Sequence, residues 1–243
     1  EMTVLFADLE AFTGLAEALG PERTFEFLNS YYAGLAPRIQ EHGGVVDKYL
    51  GDGVMVLFPR GPQSAVDAAL SMLRWTREFN EAGAWPRVAR LGIGVASGAV
   101  VLGMLGSDAR LDWTVVADCV NVASRLERLT RQLRVDLLVS DTVHAALVPE
   151  TARWSRPLGR VRVRGKEAAL SVFEVFAGED EATRLRKAST VGALQTICEQ
   201  IESGARLDAL ARLETLRARV PEDLALLGIE RRWGADGGAE DPA

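Results

Sequence analysis

The chain has 243 residues, 48% hydrophobic and 26% charged, with a net charge of −6 from 28 Lys plus Arg against 34 Asp plus Glu. This composition belongs to a globular protein with a sizeable core, not a disordered or collagenous one, and a mildly acidic chain is a poor partner for nucleic acid or anionic membrane. Two cysteines (Cys119, Cys198) and two histidines (His42, His144) exclude a zinc ribbon and a disulfide framework, so the chain reads as cytoplasmic and reduced.

The chain enters an apolar strand over 3–8 that ends on Asp8, without the basic region or cleavage site of a signal peptide. A strand starting so abruptly is expected of a domain cut from a longer protein. Gly20-Pro21 opens a helix in which Phe25, Leu28, Tyr32, Leu35 and Ile39 recur at helical spacing before Gly43-Gly44 stops it. Pro37 inside that pattern predicts a kink or an earlier end. Strands are predicted at Val45–Leu50 and Val54–Phe58, flanking the hairpin signal Gly51-Asp52-Gly53. A helix after Pro62 puts Ala65, Ala68, Met72, Trp75 and Phe79 on one face, and Val88–Val95 is the next strand. The order β-α-β-β-α-β is that of a ferredoxin-like core, an α+β fold.

Further strands fit at Val100–Leu105, Leu111–Val116 and Val135–Val139, with a helix from Asp118 through Leu129 and a closing hairpin of Arg160–Val163 and Leu170–Phe176 around Gly165. The long uncharged stretch Leu91–Ser107 falls short of the roughly 20 apolar residues of a membrane span and contains five glycines. It reads as two strands joined at Ser97-Gly98, not as a membrane segment. Beyond Gly178 the strand signals end. Residues 181–220 read as two helices separated near Ser203-Gly204, one with the stripe Val191, Leu194, Ile197, Ile201, the other with Leu207, Leu210, Leu213, Leu216. The expected organisation is a catalytic candidate over 1–178, a helical C-terminal appendage over 179–233 and a solvated tail over 234–243.

Asp8 ends the first strand and Asp52 sits at the hairpin tip, two places that neighbouring strands can bring together. Paired carboxylates repel unless a cation neutralises them, and Mg²⁺ uses one or two carboxylates plus substrate phosphates. Each aspartate alone also fits an ordinary turn. The turn Leu9-Glu10-Ala11-Phe12-Thr13 offers backbone N–H groups to phosphate oxygens. The common phosphate motifs are missing: no GxxxxGK[ST] occurs, and Gly92-x-Gly94-x-x-Ser97 lacks the third glycine of a dinucleotide fingerprint. Asn121 and Arg125, four apart, share one helix face, where an Arg fork matches phosphate oxygens; a solvated pair is the plain alternative. Lys48 and Thr114 interrupt apolar strands, and a charged Lys48 there must reach water or a partner.

Three segments, F-A-D-L-E-A-F-T at 6–13, H-G-G-V-V-D-K-Y-L-G-D-G-V-M-V-L-F at 42–58 and T-V-V-A-D-C-V-N-V-A-S-R-L-E at 114–127, resemble in order and separation the signatures of class III nucleotidyl cyclases. The resemblance covers about residues 3–176. It implies a homodimer with composite sites, two Mg²⁺ or Mn²⁺ ions per site on Asp8, Asp52 and the Leu9 carbonyl, and a triphosphate cradled by residues 9–13. Asn121 would orient the ribose and Arg125 would stabilise the α-phosphoryl transition state, both from the opposite subunit. Arg164 and Lys166 are the candidates for the terminal phosphates.

Lys48 can donate to N1 of adenine and Thr114 can accept from the 6-amino group. Guanylyl cyclases of the family typically carry glutamate in place of Lys48, so the pair resembles the bacterial adenylyl cyclase branch and implies ATP as substrate, with a regulatory domain upstream or downstream. The chain departs from the pattern at Glu10, at Ala11 and at Ala117, the latter two being positions where glycine is usual. The competing expectations are a catalytically silent cyclase-homology domain that dimerises and relays a signal, a guanylyl cyclase, and a diguanylate cyclase, whose second acidic hairpin residue is Gly53 here.

Overall fold

The computed structural model describes residues 1–85, 89–107, 110–161 and 169–234, the side chains of 104–114 excepted. The elements are β1 (Met2–Leu9), α1 (Phe12–Leu19), α2 (Pro21–Glu41), β2 (Val45–Leu50), β3 (Gly53–Phe58), α3 (Pro62–Glu81), β4 (Leu91–Gly98), β5 (Val101–Ser107), β6 (Arg110–Val116) and α4 (Asp118–Leu133). They continue with β7 (Leu137–Ser140), α5 (Asp141–Ala145), α6 (Pro149–Ala152), β8 (Ser155–Val161), β9 (Leu170–Val175), α7 (Glu181–Ala188), α8 (Val191–Glu202), α9 (Arg206–Arg219) and α10 (Leu224–Gly234). Seven strands form one sheet in the order β2-β3-β1-β4-β7-β9-β8, while β5 and β6 leave it as a separate antiparallel ribbon. The segment β2-β3-β1-β4 is the ferredoxin-like core in an α+β fold.

Alternation along the central strands divides the sheet into two faces. Leu5, Ala7, Val54, Val56, Ile93 and Val95 pack under α2 and α3, while Val4, Met55, Leu57 and Ala96 pack on the face of α4 and the C-terminal helices. Helix α4 lies close on β4 because glycines clear its path. A Cβ on Gly94 would come within 2.2 Å of the Ala123 carbonyl oxygen and the Glu127 amide nitrogen, and one on Gly92 within 2.3 Å of the Thr130 hydroxyl oxygen. The near-fingerprint at 92–97 is thus a bed for a helix.

Helix α2 differs from the expected stripe. Its buried residues are Phe27, Tyr31, Leu35 and Ile39, whereas Phe25 is 71% exposed. Both series hold helical spacing, and the aromatic packing of Phe27 against Phe79 and Trp85 decides between them. Pro37 lies inside an unbroken helix. Helix α1 starts at Phe12, inside the segment expected as the turn, and forms beside α2. Strand β8 starts at Ser155, five residues before the expected strand, and residues 162–168, including its turn at Gly165, lie outside the described residues.

Residues 181–220 hold three helices, broken as expected after Glu202, and α10 follows them. These helices share a core with the catalytic candidate: Leu194, Ile197, Leu213, Leu226 and Ile229 pack with Val122, Leu126, Leu133, Leu158 and Val161. A buried ion-pair hub joins the same two parts. Arg156 on β8, 0% exposed, donates to Glu174 on β9 (2.6 Å), to Thr190 (2.9 Å) and through two nitrogens to Asp223, the second at 2.9 Å. Lys187 on α7 completes the pairing of Glu174 at 2.6 Å. Burial alone would raise the Asp223 carboxyl, but the Arg156 guanidinium more than offsets it and holds it below its usual range. Of the expected tail, Gly234 closes α10 and residues 235–243 lie outside the described residues.

Candidate active site

Asp8 and Asp52 are brought together by strand pairing. In the antiparallel β1/β3 pair, Ala7 lies opposite Val54, which sets Asp8 beside the β2–β3 turn. Gly53 makes the approach possible, since a Cβ there would fall 2.8 Å from the Asp8 carboxylate oxygen Oδ1. The Tyr32 hydroxyl, reaching over from α2, donates to the carbonyls of Gly51 (3.0 Å) and Gly53 (3.2 Å) and holds the turn in place. Burial first, and then the neighbouring Asp8 carboxylate, push the Asp52 carboxyl up to about 6.

Two further charged groups complete the cluster, both from the second half of α4. The Glu127 carboxyl is pushed up to about 7, mainly by burial and then by Asp8. Arg131 donates to Asp8 and lies 3.4 Å from Glu127. Among the described residues no group of three or more His, Cys, Asp or Glu side chains is arranged to hold a metal ion. The donor set nevertheless fits a hard divalent cation: two carboxylates at close quarters, one reluctant to ionise without a positive neighbour, with a cationic side chain already on the other. Neither histidine takes part, since His42 pairs with Ser71 and His144 with Ser155.

The turn after β1 keeps its shape despite Ala11, which adopts φ 58° and ψ 28° as the N-cap of α1. Leu9 is buried, Phe12 packs against Phe27, and Ala11 and Thr13 are exposed. Glu10 turns its charge to Arg90 at 2.7 Å, and Arg90 also pairs with Asp136 at 2.9 Å. The extra acid beside Asp8 is therefore compensated.

Lys48 lies on an edge strand, 41% exposed and 3.1 Å from Asp47. A register shift between Val46 and Lys48 sets Lys48 opposite Met55, on the sheet face that also carries Phe6. Thr114 lies opposite Gly103 in the β5/β6 ribbon, its side chain outside the described residues. Arg164 and Lys166 are outside the described residues altogether.

Asn121 is exposed and Arg125 half-buried in the first half of α4. Thr130 sits over Gly92, the strand partner of Asp8, so Asn121 is displaced from the level of Asp8 by nine residues, roughly 13 Å of helix. One chain thus assembles Asp8 and Asp52 and carries Asn121 and the backbone of Arg125 farther along.

Residues 1–176 match the family described as the adenylate and guanylate cyclase catalytic domain. The chain belongs to that family. It is 40% identical over 185 residues to an adenylate cyclase of Anabaena cylindrica, covering 72% of this chain and 37% of that protein, so the chain spans little more than a third of that relative. Among solved structures it resembles a bacterial light-regulated adenylyl cyclase, with a TM-score of 0.65 and 28% identity over 77% of this chain and 97% of that one. It also resembles the guanylyl cyclase Cya2, with a TM-score of 0.60 and 28% identity over 72% and 90% of the two chains. Three members of this cyclase domain's acidic cluster escaped the sequence reading: Tyr32, Glu127 and Arg131. The only signal for the last two was their i,i+4 spacing of opposite charges on α4.

Proposed function

We propose that the chain is an adenylyl cyclase that converts ATP to 3′,5′-cyclic AMP and pyrophosphate in a homodimer with composite sites. The observation that carries this reading is the split of the site residues: Asp8 and Asp52 meet in one chain, while Asn121 stands roughly 13 Å along α4 from their level, on an exposed helix face. Exposed Val45, Tyr49, Leu50, Val101, Leu102 and Val116 give the β2 edge and the β5/β6 ribbon the apolar surface a second copy would cover.

Asp8, Asp52 and the Leu9 carbonyl would hold two Mg²⁺ or Mn²⁺ ions, which when bound supply Lewis-acid activation of the 3′-hydroxyl and charge neutralisation on the departing pyrophosphate. The turn at residues 9–13 would bind the triphosphate through the backbone amides that follow Glu10, whose own N–H donates to the Arg90 carbonyl at 2.8 Å, helped by the N-terminal end of α1, and Arg164 and Lys166 would meet its terminal phosphates. Asn121 of the second copy would orient the ribose. Its Arg125 would present a planar fork to charge developing on the α-phosphoryl oxygens. Lys48 would donate to adenine N1 and Thr114 accept from the 6-amino group. Orientation and electrostatics dominate such chemistry, so no histidine base is required.

The test is an assay of the purified chain with Mn²⁺ and either ATP or GTP. Cyclic AMP from ATP is the expected product. Cyclic GMP as the main product would move the reading to a guanylyl cyclase, c-di-GMP to a diguanylate cyclase, and no turnover by a verified dimer to a silent relay domain. Lys48→Glu is expected to weaken ATP use, and unchanged ATP selectivity would reject its base-reading role.

A further inference from the structure

Helix α4 reaches two different places. Its first half carries Asn121 and Arg125, whereas its second half sets Arg131 on Asp8 of the same chain. The backbone at that end of the helix is fixed from two sides. Thr130 rests on Gly92, and α10 packs so closely that a Cβ on Gly228 would lie 2.6 Å from the Gln132 carbonyl oxygen and 2.8 Å from the Leu133 Cα. Arg232 of α10 also donates to the Gln132 side chain at 3.2 Å. With its backbone held, Arg131 can leave Asp8 only by turning its own long side chain, which is 42% exposed. Glu127, one helical turn back and 3.4 Å away, is a second carboxyl acceptor within reach.

A guanidinium bonded to the Asp8 Oδ2 atom occupies the side of the carboxylate that a small hard cation, coordinating at about 2 Å, also needs. We propose that Arg131 is the built-in counter-cation of Asp8: it neutralises the carboxylate until a divalent ion enters, and it moves to Glu127 when the ion binds. Metal entry is therefore an exchange of one cation for another, and Arg131 sets the metal affinity. This inference rests on the metal-binding role proposed above for Asp8.

The full chain is titrated with Mn²⁺ in the absence of nucleotide, free Mn²⁺ being read from its electron paramagnetic resonance signal, for the wild type, Arg131→Gln and Arg131→Lys. The neutral variant is expected to bind Mn²⁺ about tenfold more tightly, the equivalent of losing one charge-assisted hydrogen bond, while the lysine variant stays near the wild type. Equal or weaker binding by Arg131→Gln overturns the exchange while leaving the metal site standing. Absence of Mn²⁺ binding in all three chains overturns both the exchange and the metal reading. Should Arg131→Gln not fold, the wild type decides. Its ¹⁵N-labelled Arg131 side-chain resonance, assigned by its loss in Arg131→Lys, is expected to shift on titration with Mg²⁺, and an unmoved resonance at saturating Mg²⁺ overturns the exchange.

Discussion

Ala11 holds φ 58°, a left-handed backbone that costs an L-residue with a Cβ about 1 kcal/mol. Ala11→Gly is therefore expected to stabilise the fold by up to ~1 kcal/mol, less the extra freedom glycine gains when unfolded, and thermal denaturation would show a raised Tm. Asp52 and Glu127 make a second expectation at this scale. Their carboxyls are held up to about 6 and about 7, so the folded chain keeps protons that an unfolded chain gives up near pH 4. Wherever the folded state holds more protons, stability falls as pH rises, here between about pH 4 and 7. On the metal role proposed above, a divalent ion would gain its second carboxylate only once Asp52 has ionised. The rise in Tm produced by Mn²⁺ should thus be larger at pH 8 than at pH 5.5, and equal rises at the two values would contradict the assignment. Individual site residues differed in how readable they were. Asp8 and Asp52 stand out as carboxylates at the ends of apolar runs, but nothing local marks Tyr32 as the clasp of the turn, because its partners are backbone carbonyls 19 and 21 residues away.

The contact of α4 with β4 gives the glycine spacing at 92–94, which falls short of a dinucleotide fingerprint, its structural purpose. Gly92 and Gly94 sit two apart and so face one side of the strand, where they admit a helix backbone. Ser97 at the third position already sets the segment apart from a phosphate loop, but the helix it seats is not visible in the chain alone. A Gly94→Val substitution is expected to cost about 3 kcal/mol by forcing α4 off the sheet, measurable as a lowered urea midpoint. Because α4 carries Asn121 and Arg125, turnover should fall further than the loss of folded protein explains. In α2 the hydrophobic residues admit two overlapping stripes, and the choice between Phe25 and Phe27 is made by tertiary packing, which periodicity does not contain. The apolar pattern of β2 required its one lysine, Lys48, to reach water or a partner, and it does both, 41% exposed and 3.1 Å from Asp47. Its place at the sheet edge and the register shift between Val46 and Lys48 give the side chain that access, a detail the period of the strand does not contain.

At the scale of the whole molecule, the β-α-β-β-α-β order was legible because each element carries its own period and its own stop signal. The route of β5 and β6 out of the main sheet was not, since pairing partners are set by distant chain. A dimer with shared sites makes a quantitative forecast. Asp52→Asn and Arg125→Ala, each expected to lower turnover on the order of 10²-fold, should regain about a quarter of the wild-type rate when mixed in equal amounts and allowed to exchange subunits. Half of the dimers are then mixed, and each mixed dimer has one intact site. No recovery after verified exchange would place all the working groups in a single chain.

The hub around Arg156 has a practical side for anyone trimming this chain. Severing it after residue 178, just past the family match, would remove Asp223, Thr190 and Lys187 in one stroke. A guanidinium and the Glu174 carboxylate would be left beneath a freshly bared greasy surface of Leu126, Leu133, Leu158 and Val161. Such a fragment would report the behaviour of a helix that had lost its backing, so a sluggish truncated enzyme would say little about the catalyst it came from.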